Sequence, residues 1–522
     1  MDLKSIKQID GSVAAQQNEF VKLGLGFIFM VGILLFVYLS TKGIHGGLVL
    51  SVAAVIGGYM AMNIGANDVA NNVGPAVGSK AMTMMWAIII AAVFEAAGAL
   101  IAGGDVVSTI KKGIIDPSNI TDHSTFVWLM VSALLAGAVW LNLATILGAP
   151  VSTTHSIVGG VLGAGIAAGG FGIANWDKMG AIAASWVISP VLGGLIAAGF
   201  QLFIKKKIIY QDDMLGAAKR FVPILIAFMV WAFSTYLALK GLKKLWKIDF
   251  QTALLIGAVI ASLFYLIVRV IITKKAEALD NSREAVNNLF TIPLVFGAAL
   301  LSFAHGANDV ANAIGPLAAI NDSIVSAGIS TKAAIPIWVM MIGAIGIALG
   351  LMLYGPKLIR TVGSEITELD KSRAFSVAMA AAITVIIASQ LGLPVSSTHI
   401  AVGGIFGVGF LREFLKTSYA SQLHQMIEQH EGEERIRLQA FLSNFESASV
   451  EEMEKMLQQA KKQKKELGFK KVERKRLKKI YGEKLVKRSA FKKILAAWVI
   501  TVPASATLAA CVFHALNGLP LG

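Results

Sequence analysis

At 522 residues, with 55% hydrophobic and only 15% charged residues and a mean hydropathy of +0.67, the chain is too apolar for a water-soluble globular protein. A net charge of +15 would suggest a nucleic-acid partner in a soluble protein, but here the basic residues cluster between apolar runs, at Lys205 to Lys207, Lys274 to Arg283 and Lys461 to Lys493. That is the pattern of cytoplasmic loops, so the expectation is a multi-pass protein of the plasma or bacterial inner membrane with no nucleic-acid partner.

The first twenty residues are polar and lack the short apolar core of a secretory signal, so the first apolar run, 22–40, is expected to act as its own insertion signal. Runs long enough to cross a bilayer follow near 48–65, 85–102, 126–147, 180–204, 221–239, 250–272, 288–304, 333–354, 374–391 and 490–516. Four further segments, 66–80, 150–168, 307–319 and 394–411, are apolar but interrupted. This predicts an all-α polytopic fold with about 11–12 transmembrane segments and re-entrant helical hairpins. The single Cys511 excludes an internal disulfide and a cysteine-based metal site.

Two words recur in the same order. GANDVAN stands at Gly65–Asn71 and again at Gly306–Asn312; PVSTTHSIVGG from Pro150 returns as PVSSTHIAVGG from Pro394. A third echo, SWVISPVLGG from Ser185 and AWVITVPASA from Ala497, is displaced by a hydrophilic block inserted into the second half. The organisation read from this spacing is an N-terminal segment and first span (1–44), transport repeat 1 (45–205) and linking spans and loops (206–284). Repeat 2 follows in two parts (285–411 and 490–522), interrupted by a cytoplasmic helical insertion (412–489). Within the insertion, Ser449 and Glu452 form a capping box that predicts a surface helix ending near Gly468. Counting spans from the basic loops predicts that the two repeats have inverted topology and meet near the bilayer midplane.

An aspartate at membrane depth costs on the order of 2.5–3.5 kcal/mol, and the chain carries two in identical settings. No Lys or Arg lies within either word, so the counter-charge expected beside Asp68 and Asp309 is a bound cation. Asn67, Asn71, Asn308 and Asn312 would supply amide oxygens, as a hard cation such as sodium requires. The structural alternative is an Asp and Asn set that caps a broken helix. Each second word begins with proline and runs into hydroxyls: Ser152, Thr153 and Thr154, then Ser396, Ser397 and Thr398. This reads as a helix starting inside the membrane, where hydroxyls and the positive helix end would hold a tetrahedral oxyanion. The alternative use of those hydroxyls is to satisfy the hairpin backbone.

Glu95 and Asn72 are further candidates. By spacing, the repeat counterpart of Glu95 falls near Pro336, and that of Asn72 is Ala313, which predicts unequal cation sites. His155 and His399 close the second words and are expected to orient the hairpins, with proton handling as the alternative. A hydrolase is disfavoured because neither serine sits in a G-x-S-x-G elbow.

The words GANDVANNVGPAVGSK and GANDVANAIGPLAA, with PVSTTH and PVSSTH, resemble the inorganic phosphate transporter family over 45–205 and 285–515. The resemblance implies a symporter of inorganic phosphate rather than an enzyme, coupled to sodium or protons, with inverted repeats and homodimerisation. It needs no cofactor, sodium being a co-substrate at Asp68 and Asp309. Carried onto this sequence, the GANDVAN residues would bind cations and the hydroxyls of the second words phosphate. Two glutamates of animal members fall on Met130 and Ala378 here, so ion coupling is expected to differ in detail. The function expected is sodium-driven phosphate import by alternating access. A proton-coupled phosphate, metal-phosphate or sulfate permease is the alternative, and a passive anion channel or a receptor is the reading from another class.

Overall fold

The computed structural model describes residues 3–116, 120, 122–147, 151–241, 248–328, 335–365, 369–427, 432–447 and 488–521. The capping-box helix expected from Ser449 and the proline that opens the first PVSTTH word, Pro150, lie outside these residues. The described residues are helical, with a single isolated bridge between Ile115 and Ala174 and no strand. Twelve helical segments among them are long and apolar enough to span a membrane, and the chain is a multi-pass membrane protein.

The chain forms two compact units, one of residues 1–405 and 489–522 and the other of residues 406–488. The first begins with α1 (Leu3–Ser40), α2 (Gly47–Asn67), α3 (Val69–Gly78), α4 (Met84–Ala102), a short α5 (Gly104–Lys112), α6 (His123–Ile146) and α7 (Thr153–Gly169). It continues through α8 (Trp176–Ile204), which ends in a π-helical turn, then α9 (Met214–Lys240), α10 (Phe250–Glu277) and α11 (Arg283–Leu289). It closes with α12 (Thr291–Val325), α13 (Ile337–Glu365), α14 (Lys371–Gln390) and the start of α15 (Ser397–Ile427). The second unit holds the rest of α15 and α16 (Gly432–Ser447); α17 (Arg488–Leu516) returns the chain to the first.

The identical GANDVAN words differ at one residue. Asp68, between α2 and α3, keeps α-region dihedrals (φ −81°, ψ −34°) and its amide donates to the Ile64 carbonyl, but its own carbonyl accepts the Asn71 amide at 3.0 Å in a tightened turn, whereas the second word lies within the 35-residue α12. The polar residues that interrupt the apolar runs at 66–80 and 307–319 are carried on helix in both copies, and because an identical heptapeptide has identical propensity, the tightened turn at Asp68 is set by its neighbours. Both words carry a proline seven residues after the aspartate, Pro75 and Pro316. Lacking an amide hydrogen, each removes the donor that would normally satisfy a carbonyl one turn earlier, at Asn71 and Asn312.

Close helix approach fixes the register around these words. A methyl group on Gly65 would sit 1.9 Å from the Ile347 carbonyl oxygen, and one on Gly306 would sit 2.1 Å from the Glu95 carbonyl oxygen. Reciprocally, Gly350 lies against Met62 and Gly98 against Phe303. So α2 crosses α13 as α12 crosses α4, and the packing counterpart of Glu95 is Ile347. This corrects the assignment near Pro336: the chain between α12 and α13 is longer than that between α3 and α4, which shifts the register.

Candidate functional site

The two hydroxyl-rich words are helix starts, as their sequence predicts. Ser152 caps α7 by accepting from the His155 amide at 3.2 Å, and Ser396 caps α15 by accepting from the His399 amide at 3.2 Å. Both serine hydroxyls are therefore used on their own helix ends. The residues that follow, Thr153, Thr154, Ser397 and Thr398, are buried, and all but Thr154 reach the repeated aspartates.

Thr153 Oγ1 donates to Asp68 Oδ2 at 2.7 Å and lies 3.4 Å from Asp309 Oδ2. Thr398 Oγ1 donates to the other Asp68 oxygen at 3.1 Å, and Ser397 Oγ donates to Asp309 Oδ2 at 3.3 Å. Amides from each GANDVAN word cross to the hydroxyls of the other repeat: Asn71 Nδ2 donates to Thr398 at 2.9 Å, and Asn312 Nδ2 to Thr153 and Thr154 at 3.0 and 3.1 Å. Thr154 donates to the Val395 carbonyl at 2.9 Å. Residues more than 300 positions apart thus form one polar cluster, each repeat completing the other.

The amide donors of this cluster are satisfied and several of its oxygens are not. Asn67 Nδ2 donates to Thr145 Oγ1 at 2.8 Å and Asn72 Nδ2 to Glu95 Oε1 at 2.8 Å. Yet Asn67 Oδ1, Asn72 Oδ1, Asn312 Oδ1 and Asp309 Oδ1 are buried without a hydrogen-bond partner. Leaving one such group unpaired costs about 1–3 kcal/mol, so four of them on and beside the two repeated words are more than ordinary packing tolerates. The oxygens of Asn71 and Asn308 are not in this set, and Asn308 is used elsewhere. Its oxygen accepts from the Val395 amide at 3.3 Å, and its amide donates to Ser389 and to the Leu393 carbonyl.

Sequence reasoning missed His305. It lies between Glu95 and Asp309, with Nδ1 2.7 Å from Glu95 Oε2 and Nε2 3.1 Å from Asp309 Oδ2, the latter off hydrogen-bond alignment. The available signal was position: His305 precedes GANDVAN, one helical turn before Asp309 and on the same face. Ligand atoms of Asp68, His305 and Asp309 all lie within 4.8 Å of one another. Among the described residues no Lys or Arg pairs with Asp68, Asp309 or Glu95. At the matching crossing of α2 and α13 the residues are Ile64 and Ile347, so the polar pair Glu95 and His305 is answered by two isoleucines.

His155 and His399 do not join the carboxylates. The His155 ring packs against Trp186, centroid to centroid 3.9 Å, and edge-on to His399 at 4.5 Å; His399 stacks on Trp498 at 3.6 Å. These four rings tie the two helix starts together, and Trp186 Nε1 donates to the Pro394 carbonyl at 3.1 Å.

A duplicated Asp, Asn and hydroxyl cluster thus lies buried inside a multi-helix membrane domain, and comparison with known proteins gives that domain a family. The model of the phosphate transporter family matches residues 64–509. The chain belongs to the phosphate transporter family. A candidate phosphate permease of Helicobacter pylori J99 is 52% identical over 99% of both chains, and one of Pyrococcus furiosus is 41% identical over 70% of this chain and 88% of its own. A solved structure of a sodium-dependent phosphate transporter superposes with a TM-score of 0.73 at 31% identity, covering 90% of this chain and 99% of that one. The family is one of transport rather than of catalysis, and the two repeated words of this phosphate carrier meet in one buried cluster.

Proposed function

We propose that the protein is a secondary active symporter that imports inorganic phosphate, driven by sodium, through alternating access at the cluster of Asp68 and Asp309. The observation that carries this reading is the set of buried oxygens without partners on Asn67, Asn72, Asn312 and Asp309 beside two close carboxylates with no Lys or Arg. Sodium at Asp68 and Asp309 supplies the missing positive charge. Phosphate then binds against the cations and the hydroxyls of Thr153, Thr154, Ser397 and Thr398, with the starts of α7 and α15 directed at it. Ser152 and Ser396 contribute by fixing those helix starts. Because cation and anion each lower the cost of the other's burial, their binding is mutually reinforcing.

With α6–α7 and α14–α15 as re-entrant hairpins, four full crossings, by α4, α8, α9 and α10, separate α2–α3 from α12. The two GANDVAN words then run in opposite senses, as inverted repeats require. In this arrangement the 412–489 insertion lies in the cytoplasm, with the basic loops, and the functional unit is a homodimer.

His305 favours a second reading, proton-coupled uptake, because an imidazole bridging Glu95 and Asp309 is a group through which a proton could reach the cation site. Radiolabelled phosphate uptake into proteoliposomes separates the two. Accumulation under a sodium gradient with pH clamped supports the symporter proposed, accumulation under a proton gradient alone supports the second reading, and accumulation under neither removes both.

A further inference from the structure

A cavity of about 560 Å³ lies between α1, α2, α6 and α13, next to the repeat-1 half of the site. Its inner wall includes Ala66 and Thr145, and Thr145 accepts the hydrogen bond from Asn67. The Asn67 side-chain oxygen, beside that hydrogen bond, is buried and without a partner. The rest of the lining is mostly apolar, with neutral polar groups set among it toward the crossing of α1 and α2. Tyr59 and Asn63 stand on the α2 face that leads to Asn67, at spacings of four; Asn142 stands one turn from Thr145 on α6; Tyr354 faces them from α13. The Asn63 amide donates to the Tyr59 carbonyl at 3.1 Å, which leaves its side-chain oxygen for the cavity. At the outer end stand Glu19 and Lys22, joined at 2.8 Å.

The other half of the molecule is built differently at the corresponding place. Ser389 stands where Thr145 stands, and Asn308 where Asn67 does. There Asn308 uses both ends of its amide on the chain leading into α15, and α5 covers that chain, with Thr109 Oγ1 donating to the Gly392 carbonyl at 2.7 Å. Lys111 and Asp322, and Lys240 and Asp105, hold α5 in place by ion pairs. One half is sealed by a short helix, and its counterpart gives onto a cavity.

We infer that this cavity is the aqueous route by which the alkali cation passes between the Asn67 side of the site and the membrane face on which α1 begins. Hydroxyl and amide oxygens replace part of the ion's hydration without holding it, because Glu19, the only carboxylate among the described lining residues, is at the mouth and neutralised by Lys22. The Asn67 to Thr145 hydrogen bond is the inner contact that the ion must part. The inference rests on the proposed cation coupling, and its test distinguishes the failure of one from the failure of the other.

The test uses the full chain in proteoliposomes with Cys511 replaced by Ala, and Asn142→Cys or Asn63→Cys added singly. Membrane-impermeant methanethiosulfonates, one carrying a trimethylammonium and one a sulfonate, are applied from either side, and sodium-driven phosphate uptake is compared before and after modification. The expected result is modification from the α1-start side only, with the cationic reagent about tenfold faster than the anionic one and loss of uptake on modification. Reaction with a lipid-soluble maleimide alone identifies a lipid-filled space and overturns the inference. Equal or faster reaction of the sulfonate overturns the assignment to cations, and modification without effect on uptake overturns the route itself. If the unmodified variants and their background show no sodium-driven uptake while the labelling pattern holds, the coupling proposal fails and the polar cavity stands.

Discussion

Replacing Asp309 with Asn tests the proposed cation site most directly, because the exchange keeps shape and one oxygen while removing a charge. Asp309 Oδ1 is buried with no partner, and Asp309 Oδ2 lies within reach of Ser397, Thr153 and His305. A carboxylate about 2.4 Å from a monovalent cation contributes roughly 7 kcal/mol at an effective dielectric constant of about 20. The asparagine oxygen recovers part of this, so the expected loss is about 3 kcal/mol or more, which lowers cation affinity at least about 100-fold. Two measurements follow. In uptake assays, the sodium concentration for half-maximal phosphate transport rises by that factor and apparent phosphate affinity falls with it, since coupling is reciprocal. In thermal unfolding of purified protein, sodium at about a hundredfold above its dissociation constant stabilises the original chain by about 2.7 kcal/mol. The same concentration stabilises the variant by only about 0.4 kcal/mol. A variant that keeps its sodium dependence within about twofold, an affinity change worth only about 0.4 kcal/mol, refutes the assignment of Asp309 as a ligand.

Gly306→Ala brings a methyl group to 2.1 Å from the Glu95 carbonyl oxygen, where about 3.3 Å is the normal approach, so α12 and α4 must part by about 1 Å. Overpacking costs about 1–3 kcal/mol, read as a lowered unfolding temperature, and the 2.7 Å contact of His305 with Glu95 lengthens beyond hydrogen-bond range, so uptake falls as well. Lys111→Met leaves Asp322 buried beside α5 without its ion-pair partner and is expected to destabilise by about 3–5 kcal/mol in the same unfolding assay. Lys111→Met with Asp322→Leu restores most of that loss; equal destabilisation by the single and double variants contradicts the reasoning. Asp370, just before α14, caps that helix through the Arg373 amide at 2.9 Å. Burial pushes its carboxyl upward, but the Arg373 charge and the cap bonds outweigh it and hold the group below the usual carboxylate range. A folded value below the unfolded one gives stability that is present above the unfolded value, near pH 4, and lost as pH falls through the folded one. Asp370→Ala is therefore expected to cost about 0.5–2 kcal/mol near neutral pH, with the difference from the original chain shrinking in acid.

Much of the site was legible because the sequence states it twice. Polar residues inside apolar runs are costly in lipid, so an aspartate and two asparagines repeated word for word already imply a shared purpose, and proline followed by hydroxyls already implies a helix starting within the membrane. Those words also carried the family. Two features were not legible. His305 belongs to no repeated word, and a single histidine in an apolar run reads as packing until the fold places Glu95 on one side and Asp309 on the other. The counterpart of Glu95 could not be fixed by counting, because the connection between α12 and α13 is longer than that between α3 and α4; contact through Gly65 and Gly306 fixed it at Ile347.

The sequence by itself determined which side chains must be removed from lipid and which chemistry they carry, since hydropathy and residue type are local properties. Only the tertiary structure decided how the surroundings of the two copies differ. An identical GANDVAN tightens by one residue at Asp68 and runs as regular helix through Asp309. The backbone of a buried word follows the hydrogen bonds and helix crossings that surround it, and those neighbours, a glutamate and a histidine at one crossing and two isoleucines at the other, differ between counterpart positions of the two repeats.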